Sequence, residues 1–370
     1  MIRSNYCEID TPALLVDYDI MKENILSMQV KANRFGVGLR PHTKTHRTPE
    51  FAQMQMDAGA VGITVAKVGE AEVMAAHGLK DIFIANEIVG ISKLQRIRNL
   101  HEQIEIALGV DDVFQVDQLE QVFEGSSRPI RVLIEIEVGE NRSGVIEKDK
   151  FIALVKHILS KKHVLLTGVF SHDGQSYKAA SPADCIRECL DCQRRTLEFA
   201  ELARELGAHI DTVSIGSTPS LLIADILDGV TEIRPGTYIF MDNSQAGGIH
   251  DYSHCAASVL GTVISKPTAD RIITDTGAKA LTAQQRQNGI CANQGLGYVK
   301  GADQVHLSGV FDEHGIIYSE ELSKQLNIGD KIEIIPNHIC PVCNLYDSLY
   351  LVSHGSVLQE LEIACRGKSR

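Results

Sequence analysis

VGITVAKVGEAEVMAAHGLKDIFIANEI, residues 61–88, reads as one strand–helix–strand unit. VGITVA and DIFIANEI are short apolar runs rich in β-branched residues, and VGEAEVMAAHG between them has helical spacing and stops at a glycine, as helix C-caps tend to. The same alternation runs from about residue 20 to 240, through GLRPHTK, IEIALGV, RVLIEIEV, LLTGVFSH, DTVSIGS and TEIRPG. CQRRTLEFAELARELG is a second helical stretch closed by glycine. Eight such repeats predict α/β architecture, a parallel (β/α)8 TIM barrel. An open doubly wound sheet is the competitor, but no G-x-G-x-x-G follows the first strand.

Beyond about residue 245 the texture changes. SVLGTVISK, DRIITDTG, QVHLSGVFDEHG, DKIEIIPNHIC and SLYLVSHGSVLQELEIAC are short, strand-like and separated by turn residues. The expected division is a barrel over residues 15–245 and an all-β domain over 246–370 with 1–14; TPALLVDYD reads as a strand that fits either.

Bulk properties narrow the function. At 370 residues, 44% hydrophobic and 23% charged, the composition is that of a folded globular chain. A net charge of −12 argues against nucleic acid as a partner. No apolar run is long enough to span a bilayer, and MIRSNYCEIDTPALLVD lacks a signal-peptide layout, so a cytoplasmic protein without a membrane partner is expected. Nine cysteines, an odd number, point to reduced thiols. Cys185, Cys189 and Cys192 recur at helical spacing and read as one packed helix face.

Chemistry-bearing residues fall at strand ends, where barrel active sites form. RPHTKTHR (40–47) places Lys44 at the end of the first barrel strand, flanked by His42 and His46. Neighbouring cations and desolvation lower a lysine's proton affinity, and a neutral amine condenses with aldehydes such as pyridoxal 5′-phosphate (PLP). GSTPS (216–220) and RPGTY (234–238) are glycine turns with hydroxyls at adjacent strand ends, suited to a phosphate. In PNHICPVCNLYD (336–347), His338 and Cys340 flank Ile339; on an extended strand both face one way, and imidazole with thiolate suits zinc. Cys340 and Cys343 also make a C-x-x-C, but without the βαβ context of a redox pair.

RPHTKTHRTPE, ENRSGV, SHDGQSY, SIGSTPS, EIRPGTYIFMD, DTGAKALT, FDEHG and HICPVCNLYD, in this order, resemble the D-serine dehydratase and D-threonine aldolase family. These are fold-type III PLP enzymes with an alanine-racemase-like barrel followed by a β domain. The resemblance implies that Lys44 holds PLP through a Schiff-base link and acts as acid/base at Cα, with His42 or His46 beside it. It places Ser217, Thr218, Gly236, Thr237 and Tyr238 at the phosphate, Arg142 near the ring, and His172 or Tyr177 at the pyridine or substrate side. His338 and Cys340 would ligate zinc or another divalent metal such as manganese. Arg142 as a rim ion pair, Tyr177 as a packing residue, and Asp275 with Lys279 as a turn-stabilising pair are the alternatives for those residues. The H-x-C pair and SHDGQSY look closer to the dehydratase branch, implying a lyase that turns a β-hydroxy D-amino acid such as D-serine into a 2-keto acid and ammonia. Aldol cleavage of D-threonine and dehydration of 3-hydroxyaspartate stay open, and a homodimer is implied. A racemase would need a second base and no metal, a non-catalytic PLP carrier would lack the β domain, and a metal hydrolase would gather more His and Asp ligands.

Overall fold

The structure, a computed structural model, describes residues 2–370 and divides into two compact units. One comprises residues 27–44, 49–236 and 367–370. Its strands, all parallel, are Gly38–Leu39, Ile63–Val65, Asp81–Glu87, Glu105–Val110, Ile130–Ile136, Val164–Ser171, Thr212–Ile215 and Glu232–Ile233. From the second strand on, each pairs with the next, and the last pairs with the first through Gly38↔Glu232 and Leu39↔Ile233. A parallel bridge between His42 and Thr64, with the Thr64 amide donating to Pro41 O at 2.9 Å and the Thr43 amide to Thr64 O at 2.9 Å, closes the ring. All eight apolar runs of the alternating region thus carry a strand, and the barrel is the one expected.

Local chemistry sets the helices between them. Asp112 caps Val113–Phe123 by accepting the Phe114 amide at 2.8 Å, and Ser181 caps Pro182–Glu205 by accepting from Asp184 N, with proline in the first turn. Cys185, Cys189 and Cys192 are buried along one side of that second helix, a packed face. Inside the barrel, Phe83, Ala107, Leu133 and Phe170 from four successive strands form one cluster, the two rings meeting edge-on at 5.1 Å. Burying each phenyl ring is worth roughly 2–3 kcal/mol.

The other unit comprises residues 2–26, 45–48 and 237–366. Strand Ala13–Asp17 belongs here: it runs antiparallel to Ala257–Ser265 (Leu14↔Val259) and parallel to Ser348–Ser353 (Val16↔Leu351). Ile9, Ala13, Leu15, Leu260 and Val352 pack as its core. Ala257–Ser265 also pairs with Arg271–Thr274 and Lys331–Ile335, and hairpins Leu307–Val310/Gly315–Tyr318 and Ser348–Ser353/Ser356–Glu362 extend the sheet. Residues 15–26 and 237–245 fall in this unit rather than with the barrel: the strand at 13–17 finds its hydrogen-bond partners here, and the Asn243 amide donates to Pro336 O at 3.0 Å. Among the described residues no helix is long and apolar enough to cross a membrane.

Candidate active site

In the barrel unit, the loop that ends at Lys44 is fixed at its root. Arg40 donates through Nε to Glu232 (2.6 Å) and through Nη1 to Asp81 (2.7 Å), and room for its guanidinium exists only because residue 62 is glycine. A Cβ on Gly62, whose φ is +157°, would lie 2.1 Å from Arg40 Nη1. Beyond Arg40 the His42 amide donates to Pro235 O at 2.9 Å, and Lys44 N–H makes a long 3.5 Å contact with His42 Nδ1. Lys44 itself is half-buried.

Two imidazoles share its surroundings and both are held neutral. His42 lies well below the ordinary histidine value because it is buried, with Lys44, Arg234 and His172 adding to the effect. His172 follows the strand Val164–Ser171; burial first, then Lys44 and Arg142, push it far down although 23% of its side chain meets solvent. Its Nδ1–H is donated to Gly216 O at 2.9 Å, so the Nε2 lone pair is the basic atom, 4.0 Å from Glu140 Oε2. Glu140 also takes Arg142 Nη1 at 3.3 Å, and Arg142 Nη2 lies 3.8 Å from Glu135. The rim ion pair weighed for Arg142 is therefore present. Tyr177 sits half-buried on the 3-10 turn Gly174–Lys178.

Arg234 was absent from the sequence-based list, although it opens RPGTY. Its guanidinium stands over the rings of Phe170 (5.2 Å) and Phe83 (5.8 Å), and donates to Ser214 Oγ at 2.6 Å and Ser171 O at 2.7 Å. Burial lowers it to about 10, so it remains a cation at neutral pH and helps keep both histidines uncharged.

The SIGSTPS turn provides an anion cradle. Ser217 Oγ meets Ser220 Oγ at 2.9 Å and Ser176 Oγ at 3.1 Å, and Thr218 Oγ1 is buried with no hydrogen-bond partner. An orphaned hydroxyl is costly unless a ligand completes it. The buried Asp173 lies nearby; Ser217 and Ser220 act on it electrostatically, but neither carboxyl oxygen meets hydrogen-bond geometry with any group. Burial raises its carboxyl above the ordinary aspartate value, against the pull of Ser220, Ser217 and Arg234. These residues fit the phosphate of PLP, and Gly236 is the last residue of this unit before the RPGTY turn continues.

The β unit carries the remaining site residues. Here one expectation is corrected: the strand Lys331–Ile335 ends before Pro336, and Ile339–Cys343 is a short helix, not an extended strand. Ile339, Val342 and Cys343 are its buried face, at i, i+3 and i+4 spacing, which leaves Cys340 on another side. His338 precedes the helix in extended conformation, and its Nδ1 pairs with Gln284 Oε1 at 3.1 Å, which makes Nε2 the lone-pair atom. Cys340 Sγ shares hydrogen bonds with Thr45 Oγ1 at 3.2 Å and Thr237 Oγ1 at 3.6 Å, in which either atom can be the donor. The fully buried Asp242 accepts the Ile339 amide at 3.1 Å and the Gln245 amide at 2.9 Å; burial raises it to about 6 while His338 pulls it down. Asp242 and Gln284 are thus supports of this pair that the sequence reading missed. Among the described residues no three His, Cys, Asp or Glu side chains group around one point. An imidazole and a cysteine sulfur are donor types that suit zinc.

In sequence Thr45 follows Lys44 directly and Thr237 follows Gly236. His46 is fully buried, its ring edge-on to Phe240 at 6.3 Å and its Nδ1 accepting Thr48 N–H at 3.1 Å. Tyr238 is fully buried. Cys343 is buried and its thiol raised well above its ordinary value, the state of a core thiol. Asp275 accepts from Thr262 N at 2.8 Å and Thr11 Oγ1 at 2.5 Å, while Lys279 pairs with Glu313, so these two do not pair with each other.

Comparison with known proteins agrees with this layout. Residues 16–244 match the family described as alanine racemase, N-terminal domain, and residues 256–352 match the putative serine dehydratase domain. A D-threonine aldolase from an Arthrobacter species is 34% identical across 98% of this chain and 94% of its own length. D-threo-3-hydroxyaspartate dehydratase from Delftia sp. (strain HT23) is 34% identical across 90% of this chain and 91% of its own. The crystal structure of D-threonine aldolase from Filomicrobium marinum superposes with a TM-score of 0.89 at 29% identity, covering 100% of this chain and 99% of that one. Solved variants of a D-threo-3-hydroxyaspartate dehydratase replace a histidine and, two positions on, a cysteine with alanine; the cysteine variant is in metal-free form.

Proposed function

Since the chain belongs to the D-serine dehydratase and D-threonine aldolase family, we propose that it is a PLP- and metal-dependent lyase of β-hydroxy D-amino acids. Its reaction is elimination of water, as with D-serine, to give a 2-keto acid and ammonia. The carrying observation is the His338-x-Cys340 pair, its imidazole set by Gln284 and its sulfur by two threonine hydroxyls, in a chain whose barrel presents Lys44 near two neutral histidines.

Lys44 would hold PLP, with Ser217, Thr218, Gly236, Thr237 and Tyr238 at its phosphate. His338 and Cys340 would hold zinc. When bound, PLP supplies an electron sink for a Cα–H bond, and zinc supplies a Lewis acid for a hydroxyl leaving group. The protein's own share is proton handling and orientation. His172 Nε2 presents an uncharged lone pair that can accept a hydrogen bond but, with its proton affinity so far depressed, does not store a proton; its Nδ1–H is committed to Gly216 O. Arg142, half-exposed, is held by Glu140 and Glu135 and would stand near the cofactor ring. Arg234 is fixed by Ser214 and Ser171 and keeps His42 and His172 neutral without itself giving up a proton. Lys44, whose amine would hold PLP, is also the residue that would take the α-proton. The α-proton and the β-hydroxyl would leave as water, and uptake of water would give the 2-keto acid and ammonia.

Aldol cleavage to glycine and an aldehyde is the second reading, supported by the 34% identity to a D-threonine aldolase over 98% of the chain. Incubating purified protein with D-serine, D-threonine and D-threo-3-hydroxyaspartate, with zinc and after chelation, separates them. Keto acid from D-serine that vanishes on chelation and returns with zinc is expected. Aldehyde in its place establishes cleavage, and turnover indifferent to chelation removes the metal from the scheme. In Lys44→Ala the cofactor's near-visible band should disappear; a persistent band refutes the assignment of Lys44.

A further inference from the structure

Glu140 has no place in that scheme, yet its position is closely defined. It lies on the loop after Ile130–Ile136, where Glu137 Oε1 accepts the amides of Gly139 and Asn141, both at 2.8 Å. Ser143 Oγ on Glu135 at 2.7 Å and the Gly144 amide on Asp111 at 3.1 Å hold the far side of the loop. From this frame the Glu140 carboxylate reaches Arg142 Nη1 at 3.3 Å and stops 4.0 Å from His172 Nε2. It lies flat against residue 174: a Cβ there would be 2.0 Å from Oε1 and 2.6 Å from Oε2, so only glycine leaves the carboxylate its seat. Burial, the largest influence, raises its carboxyl above the ordinary glutamate value; Arg142 and Lys44 pull it back toward the ionised form, and Glu135 and Asp173 add to the rise.

We propose that Glu140 determines substrate specificity: its carboxylate occupies, on Arg142 and within electrostatic reach of Lys44, the place a substrate's side-chain carboxylate would take. This rests on the lyase reading above and deepens it. The site selects β-hydroxy D-amino acids with uncharged side chains and disfavours dicarboxylic ones such as 3-hydroxyaspartate. A second carboxylate entering would lose its guanidinium partner to Glu140 and meet a like charge. At a separation of about 6 Å and an effective dielectric of about 40, that repulsion alone is worth about tenfold in affinity.

The test uses the PLP-loaded protein and two ligands that lack a hydroxyl to lose, D-alanine and D-aspartate, titrated against the cofactor band. Wild type is expected to bind D-alanine at least tenfold more tightly than D-aspartate. In Glu140→Gln the ratio of the two dissociation constants should move about tenfold toward D-aspartate, and in Glu140→Asp it should stay near the wild-type value. The kcat/KM ratio of D-serine to D-threo-3-hydroxyaspartate should move in the same direction as the binding ratio. A ratio unchanged in Glu140→Gln, with its cofactor band and circular dichroism intact, reduces Glu140 to a rim ion pair and overturns the proposal. A wild type with no cofactor band refutes the lyase reading itself, and the proposal with it.

Discussion

Replacing Arg40 with Met tests how the Lys44 loop is anchored. Arg40 is the cation between Glu232 (2.6 Å) and Asp81 (2.7 Å), and joins the first, third and eighth barrel strands. Its removal affects the two acids unequally. Asp81, with 34% of its side chain exposed, can turn to water, whereas Glu232, at 8%, cannot. Breaking a buried pair from one side typically costs about 3–5 kcal/mol. Glu232 retains the Ser214 hydroxyl at 2.6 Å, so the low end, about 3 kcal/mol, is expected. Because two compact units need not unfold together, a local readout is appropriate. Amide hydrogen exchange over residues 38–44 and 230–236 should quicken roughly a hundredfold, the equivalent of about 3 kcal/mol. The second variant, Arg40→Met with Glu232→Gln, removes the stranded charge and should recover most of the protection. Exchange in the single variant within about threefold of wild type, or a double variant worse than the single, would refute a charge-based anchor.

Glu87 supplies a pH test. Burial first, then Glu135 and Asp111, raise its carboxyl well above the usual carboxylate range. A raised folded-state value contributes stability that is present below the unfolded value near 4.5 and is lost as pH climbs toward the folded one. Glu87→Gln should therefore gain about 1–2 kcal/mol over wild type at pH 8 but not at pH 4, as thermal unfolding at the two pH values will show; equal shifts at both remove the carboxyl as the cause. Thr218→Val removes the orphaned hydroxyl of the cradle. PLP affinity should fall about 5–30-fold while the cofactor-free protein keeps or gains stability, since an unsatisfied polar group is gone; unchanged affinity by absorbance titration excludes Thr218 from the phosphate site.

What could be read from the sequence was what repeats or what stays local. Strands such as Ile130–Ile136 and Val164–Ser171 are buried along most of their length, so their apolar runs announce themselves, and the barrel followed from eight of them in order. Gly38–Leu39 and Glu232–Ile233 are only two residues long, yet the runs GLRPHTK and TEIRPG that carry them stand out because they keep their place in the alternation. The conformation of His338 and Cys340 was not legible. An apolar run leading into Pro336 looks the same whether a strand continues or a helix begins, and the deciding fact is that Ile339, Val342 and Cys343 bury together. The missed residues share a physical reason. Arg234 is defined by Phe83 and Phe170, Asp242 by the Ile339 amide, and Gln284 by His338, all partners far away in the chain. Periodicity reports which face of an element is buried; it carries no information about which distant polar group a buried charge will meet. Lys44 and the SIGSTPS and RPGTY turns can be recognised by residue type and strand-end position, whereas Arg234, Asp242 and Gln284 are recognisable only once the chain has folded around them.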